Sequence, residues 1–370
     1  MKKKLFGIFF CGMLVLSCSN STKLNYIDIN KVDKVSCFEL FESIDVVQLE
    51  TNDQSLISTI NRVIFYNDRY FVLDTKMQSV FCYDKYGKFQ FKIAQKGQGS
   101  REYIYIEEFN IDKYNNQILL LEPFGNLFIF DMNGQFIEKV KLPKEFIAYS
   151  EVYPLDKNIL VFISVDKYQV IFYSRKENKI IDRKYPIIDG VHNDFFSPAY
   201  KTYIYNDSIF FQKPGSNEII NILNNNIFTW NFGENNNKKG QIDIIRKDMK
   251  NHNRPSHTDY FAEGLLKYDI LGSYESERYK IAILYFGDKK FKHLFWDKKM
   301  NKAAVFEKMD EGIQFIWPNF SGESIIVTYP SIIKFTSYNL DILSNEQKKI
   351  MNIHNSEMDN PIIIKYNFKK

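Results

Sequence analysis

Three adjacent residues, Arg101, Glu102 and Tyr103, bring a cation, a carboxylate and a phenol together just after the glycine pair of Gly97-Gln98-Gly99. Such a tripeptide could bind a polar ligand, or Arg101 and Glu102 could pair as ions and tie two elements together. The glycines begin like a dinucleotide fingerprint, but the third glycine is missing and a strand-like run follows where a helix should open. They suit a sharp turn instead. Trp317, in Trp-Pro-Asn-Phe beside a turn at a strand end, is the best placed aromatic for stacking on a sugar ring. The candidate ligand-binding set is therefore Arg101, Glu102, Tyr103 and Trp317.

Other chemistries lack their residues. His192, His252, His257, His293 and His354 are scattered, and none falls in an HExxH or HxH pattern. No GxSxG elbow offers a serine nucleophile, and neither Cys37 nor Cys82 has a histidine nearby in sequence. No catalytic residue, metal or cofactor is assigned on this pattern. Carboxylates such as Glu107 with Glu108, or Glu275 with Glu277, could meet across a pore, but sequence order hides their separation.

The elements that must position these residues are strands. Asp84 to Phe89 reads DKYGKF and Asp131 to Phe136 reads DMNGQF, 47 residues apart, each preceded by an aromatic, Tyr83 or Phe130. Strand-like runs flank both, so one strand-turn-strand unit is written twice. Apolar strands entered through a polar residue recur at Asp68, Asn116, Asn158, Asp207 and Glu323, each reading as the second strand of a unit. Hairpins follow at Ile171 to Ile181, Ile219 to Trp230 and Leu294 to Phe306, their apolar arms joined by short polar tips. An all-strand repeat of this period predicts a radial array, and the available length fits six blades of about 47 residues. One stretch breaks the pattern: Asn236 to Lys267 has helical spacing and reads as an insertion crossing one end of the array. A ring left open would expose two strand edges. Ile44 to Glu50 is expected to close it by joining the blade that contains Pro361 to Phe368.

The N-terminus carries an address. Met1 to Lys4 is basic, Leu5 to Leu16 is apolar but too short to span a bilayer, and Val15-Leu16-Ser17-Cys18 closes the segment. Ser17 before Cys18 resembles the lipobox of bacterial lipoproteins, which implies cleavage before Cys18 and acylation of that residue. Residues 1–17 are then a signal peptide, 18–23 a lipidated tether, and 24–370 a single propeller domain. Without the three leader lysines the chain holds 46 basic and 45 acidic residues, interspersed with no basic stripe, which argues against nucleic acid as a partner. Cys37 and Cys82 could form a disulfide, but a chain of this length needs no staple, and two buried thiols are the expected outcome.

Taken together, the leader, the segments Ser43 to Val63 and Lys92 to Asp112, and the terminal NPIIIKYNFK (Asn360 to Lys369) resemble the six-bladed β-propeller lipoproteins of Bacteroidetes, which share their architecture with NHL-repeat proteins. Members typically have KGxGPxEY where this chain has Ser100 in place of the proline, a departure that loosens one turn. The resemblance implies a propeller fold and an envelope location but no agreed activity. Asp207-Ser208-Ile209 also resembles the short O-glycosylation pattern of Bacteroidetes envelope proteins, although it falls in a predicted strand.

Three functions fit. The first is a non-catalytic lipoprotein presenting a propeller face to a glycan or peptide. The second is a scaffold or interaction subunit of an envelope protein complex. The third is a hydrolase or lyase whose acid and base come from different blades. The expected location is the outer membrane, lipid-anchored. The periplasmic face is favoured over the cell surface, because no acidic run follows Cys18.

Overall fold

The structure, a computed structural model, describes residues 26–370 apart from 124, 144–148, 165–166, 188–201, 214, 251–256, 316–317, 330–339 and 356. Cys18 and Trp317 lie outside the described residues. The first helix among the described residues, α1 (Cys37–Leu40), leads directly into β1 (Phe41–Gln48). Five consecutive four-stranded antiparallel sheets follow, each wound outward from its first strand. Blade 1 comprises β2 (Arg62–Tyr66), β3 (Arg69–Asp74), β4 (Ser79–Asp84) and β5 (Phe89–Ile93). Blade 2 comprises β6 (Glu108–Asp112), β7 (Gln117–Glu122), β8 (Asn126–Asp131) and β9 (Phe136–Lys141). Blade 3 comprises β10 (Tyr149–Pro154), β11 (Ile159–Ser164), β12 (Tyr168–Ser174) and β13 (Lys179–Pro186). Blade 4 comprises β14 (Thr202–Tyr205), β15 (Ser208–Gln212), β16 (Glu218–Asn221) and β17 (Ile227–Thr229). The helices α2 (Lys239–Lys250) and α3 (His257–Ala262) then intervene. Blade 5 comprises β18 (Asp269–Glu275), β19 (Tyr279–Tyr285), β20 (Phe291–Asp297) and β21 (Lys302–Phe306). Blade 6 is built from both ends of the chain: β22 (Asn319–Ser321), β23 (Ser324–Tyr329), then past α4 (Asn345–Ile353) to β24 (Ile362–Phe368), with β1 as its outer strand. This six-bladed propeller, with its shared closing blade and helical insertion, is the expected architecture.

The repeated hexamers are one turn made twice. The carboxylate of Asp84 accepts from the backbone N–H of Tyr86 and Lys88, at 2.9 and 3.0 Å. That of Asp131 accepts from Asn133 and Gln135, both at 2.8 Å. Gly87 and Gly134 take the left-handed backbone at φ 85° and 79°, which a side chain disfavours. The preceding aromatic packs edge-on against the one closing the turn, Tyr83 on Phe89 and Phe130 on Phe136, each pair 5.7 Å between ring centres. The polar residues that lead into second strands have an equally local cause. Asn67-Asp68 and Asn206-Asp207 both have positive φ at two successive positions, the tight turn whose twist matches a hairpin.

Packing between blades supplies most of the core. Phe71, Cys82, Tyr103, Phe109 and Phe128 fill the gap between blades 1 and 2, and comparable apolar sets fill the others. Cys37 and Cys82 are both free thiols and buried. Closure is enforced by register and by one amide. β1 runs antiparallel to β24, from Phe41 opposite Phe368 to Gln48 opposite Ile362. Just before β24, the buried Asn360 side chain accepts from Ile57 N–H at 2.8 Å and donates to the carbonyls of Glu50 and Ser55 at 2.8 and 2.7 Å. The insertion has a small core of its own, Ile242, Ile245, Tyr260 and Leu266, separate from the ring. Among the described residues, no helix is long and apolar enough to cross a membrane.

Candidate functional site

The first strand of every blade faces the axis. Side chains stitch these strands together in matching order: Val63 N–H donates to Asn319 Oδ1 at 2.9 Å, and Phe65 N–H donates to Ser321 Oγ at 3.1 Å. Between the six strands lies a channel of about 350 Å³ lined by residues of all six blades. Where the strands begin, the lining includes Arg62, Thr202 and Asn319; where they end, Tyr66, Lys113 and Gly322. The walls between are mostly apolar and aromatic, with Phe65, Tyr203, Tyr274 and Phe320 among them. Tyr274 and Phe320 stack with ring centres 4.5 Å apart.

Buried charge gathers at one side of this channel. Arg62, which opens β2, places Nη1 2.8 Å from Oε2 of Glu108, which opens β6, and both side chains are 13% exposed. Phe109 N–H donates to the other carboxylate oxygen at 2.7 Å. Burial pushes the Glu108 carboxyl up to about 7, overcoming the attraction of Arg62, and the Glu151 carboxylate adds to the rise. On β10 the Tyr153 hydroxyl lies 2.5 Å from Glu151 Oε2 and 3.1 Å from the Thr202 carbonyl. Burial, with Glu151 beside it, raises the Tyr153 phenol well above its ordinary value. Arg62 and Tyr153 line the channel while the two carboxylates stand behind them, setting their positions. Thr202 lines the same space, and its hydroxyl is buried with no hydrogen-bond partner among the described residues. A buried hydroxyl left in this state costs about 1–3 kcal/mol.

A second buried cluster joins blades 4 and 5. Glu275 accepts from Lys280 and, at 2.8 Å, from Lys298. Lys280 also donates to the Tyr203 hydroxyl at 3.1 Å and lies 4.5 Å from the centre of the Phe228 ring. Burial lowers the Lys280 pKa, and the Glu275 carboxylate resists that fall. With its charges and rings facing one another, this cluster acts as a clamp between blades.

The residues singled out from sequence lie elsewhere. Arg101, Glu102 and Tyr103 sit on the crossing from β5 to β6, outside the channel lining. Arg101 lies over the Phe136 ring at 5.8 Å, while Glu102 accepts from Gly99 N–H at 2.8 Å and closes its own loop. Tyr103 is fully buried; its hydroxyl accepts from Gln95 N–H and donates to the Gln78 carbonyl, both at 2.9 Å. Trp317 is outside the described residues, but its near neighbours Asn319 and Phe320 line the channel. Trp230 and Trp296 are buried in the packing between blades. Sequence reasoning missed Arg62, Glu151 and Tyr153, and it named Glu108 only as one of many carboxylates. The usable signal was position, because Arg62 and Glu108 each open the first strand of a blade.

A six-bladed β-propeller enclosing a narrow channel, with an ion pair bridging its first two blades, is the class of protein that this fold and site define. Within that class the chain belongs to the family described as "Domain of unknown function (DUF4934)", which matches residues 24–367. Among solved structures it is similar to a "putative exported protein" from Bacteroides fragilis, at 17% identity and a TM-score of 0.71, covering 92% of this chain and 98% of that one. It is also similar to a member of the duf4221 family from Bacteroides vulgatus, at 8% identity and a TM-score of 0.51, covering 92% and 99%. At such identities the likeness is one of fold. No curated protein matches the chain.

Proposed function

We propose that this protein is a lipid-anchored, non-catalytic envelope propeller that binds a glycan or peptide in its central channel. The observation that carries this reading is the channel itself. It offers about 350 Å³ bounded by aromatic rings, with Arg62, Tyr153 and Thr202 among its polar lining residues. That combination of apolar walls and few placed polar groups is how small-ligand sites are built. Aromatic faces suit the apolar faces of sugar rings or side chains. The lipobox at Cys18 supports an outer-membrane anchor, and the lack of an acidic run behind it supports the periplasmic face. Export, the description given to the Bacteroides fragilis structure, agrees with that leader.

A thermal-shift screen of soluble Ser19–Lys370 against oligosaccharides and peptides tests the reading. A ligand at a hundred times its Kd adds about 2.7 kcal/mol to stability and raises the Tm measurably. Phe320→Ala, which removes a channel wall, should abolish the shift. A shift that survives this change places the ligand elsewhere, with the Arg101 to Tyr103 crossing as the next site to alter. Silence across the screen favours the scaffold reading.

One observation favours the hydrolase or lyase reading as a second choice. Glu108 near neutrality, with Glu151 and Tyr153 beside it, is a set from which an acid and a base could be drawn. Slow turnover of any ligand found in the screen, lost in Glu108→Gln, would establish it.

A further inference from the structure

We propose that the rim formed by blades 4 and 5 faces the lipid bilayer, so that both mouths of the channel stay open to the aqueous side. The inference rests on the lipid anchor proposed for Cys18. Only about eight residue steps separate Cys18 from Tyr26, and at roughly 3.6 Å each they reach about 29 Å even fully extended. From Tyr26 onward the chain is no longer a tether. Ile27 N–H donates to the Asn231 carbonyl at 2.9 Å, just beyond β17 of blade 4. Lys292 of blade 5 donates to the Ile29 carbonyl at 2.8 Å. Val305 on the outer strand of blade 5 donates to Asp33 Oδ2 at 3.0 Å, and Glu311 accepts from Cys37 N–H at 2.9 Å. Residues 26–36 are thus a strap bound along the outside of blades 4 and 5, and the anchor must enter at that rim.

The strap is also two-faced. Ile27, Ile29 and Val35 are buried against the ring, whereas Tyr26 and Val32 are 55% and 52% exposed. Ile244 on α2 and Met300 at the outer turn of blade 5 add exposed apolar side chains to the same rim. An exposed aromatic ring such as Tyr26, with exposed lysines such as Lys34 on the same strap, is the mixture that settles at a bilayer interface. In a ring of six, blades 1 and 2 lie opposite blades 4 and 5, farthest from the anchor.

The lipid-modified full chain, reconstituted in phosphatidylethanolamine and phosphatidylglycerol vesicles carrying a nitroxide headgroup quencher, tests this. A fluorophore is placed at Val32→Cys on the strap or at Ile137→Cys on blade 2. Cys37 and Cys82 are buried and stay unlabelled. The expected result is strong loss of fluorescence at position 32 and little at 137. Equal loss, or the reverse order, overturns the proposal. A flexible spacer of about twenty Gly and Ser residues inserted after Thr22 should shrink the difference, since the short tether sets the orientation; an unchanged difference overturns that cause. Failure of the anchor reading shows separately, as a wild-type chain that does not partition into the membrane fraction or one retained there despite Cys18→Ala.

Discussion

Arg62 and Glu108 meet 2.8 Å apart across blades 1 and 2, two buried charges that face each other although 46 residues separate them in the chain. Their pairing joins adjacent first strands at the channel wall. It also leaves Glu108 with a proton affinity that burial has raised, to about 7 against an ordinary 4.5.

That shift sets a pH dependence whose sign follows from linkage. Between about pH 4.5 and 7 the folded chain holds a proton on Glu108 that the unfolded chain has released, so stability falls as pH rises through this window. Glu108→Gln removes the titration. The expected outcome is that wild type loses roughly 2–3 kcal/mol relative to Glu108→Gln on going from pH 4.5 to pH 8, by urea melts at each pH. Arg62→Ala should behave oppositely to a neutral truncation, costing more at pH 8 than at pH 5, because at the higher pH it strands a buried carboxylate. Parallel stability curves for all three proteins would remove the pair from the pH response.

Asn360 is expected to be the most sensitive polar residue of the closing blade. It satisfies one buried N–H and two carbonyls in the segment 50–57, which follows the N-terminal strand of blade 6 and precedes blade 1. Asn360→Ala leaves all three without this partner and should cost roughly 3 kcal/mol. Asn360→Asp should cost at least as much, since it supplies no N–H donor to the two carbonyls. Chemical denaturation measures both. Deleting Pro361 to Lys370 should abolish folding outright, because β24 lies between β23 and β1 and not at a sheet edge.

These residues also mark how far the fold was legible. The hexamers at Asp84 and Asp131 could be read because a turn is a local object: one carboxylate, one glycine and two aromatics within seven residues fix it. The same holds for the polar residues before β3, β7, β11, β15 and β23, each a short turn into a second strand. Closure was legible because Ile44 to Glu50 had the form of a strand with no hairpin partner of its own. The channel was not legible. Arg62, Glu108 and the Glu151–Tyr153 pair lie in three separate stretches of sequence, and only the winding of three blades brings them together. The tripeptide Arg101 to Tyr103 drew notice through its proximity in sequence, while the structure uses Glu102 and Tyr103 to hold a crossing in shape.

Both thiols should be inert in the folded protein. Burial pushes Cys37 and Cys82 up to about 12, so almost no thiolate exists at pH 8, and neither side chain is accessible. Soluble Ser19–Lys370 should therefore show negligible reaction with a thiol reagent when native and two reactive groups in guanidinium. Rapid labelling of either residue at low denaturant would reveal local opening, of α1 for Cys37 or of blade 1 for Cys82.

The helical insertion should be removable at small cost. Its apolar residues Ile242, Ile245, Tyr260 and Leu266 form a cluster apart from the cores between blades, so the ring does not depend on them for burial. Its ends are tied more firmly. Asn237 donates to the Tyr268 carbonyl at 2.8 Å and accepts from Lys267 N–H at 2.9 Å, which holds the two ends of the excursion together. A cut inside that pair, replacing Lys238 to Leu266 with a short glycine linker, keeps the tie and removes the excursion. The principal loss is the edge contact of Phe261 with Tyr285 of blade 5, at 5.4 Å between ring centres, worth roughly 1 kcal/mol beyond its buried area. The shortened chain should unfold cooperatively with a Tm only a few degrees lower. A melt that broadens or collapses would mean that blades 4 and 5 need the helices between them to stay in register.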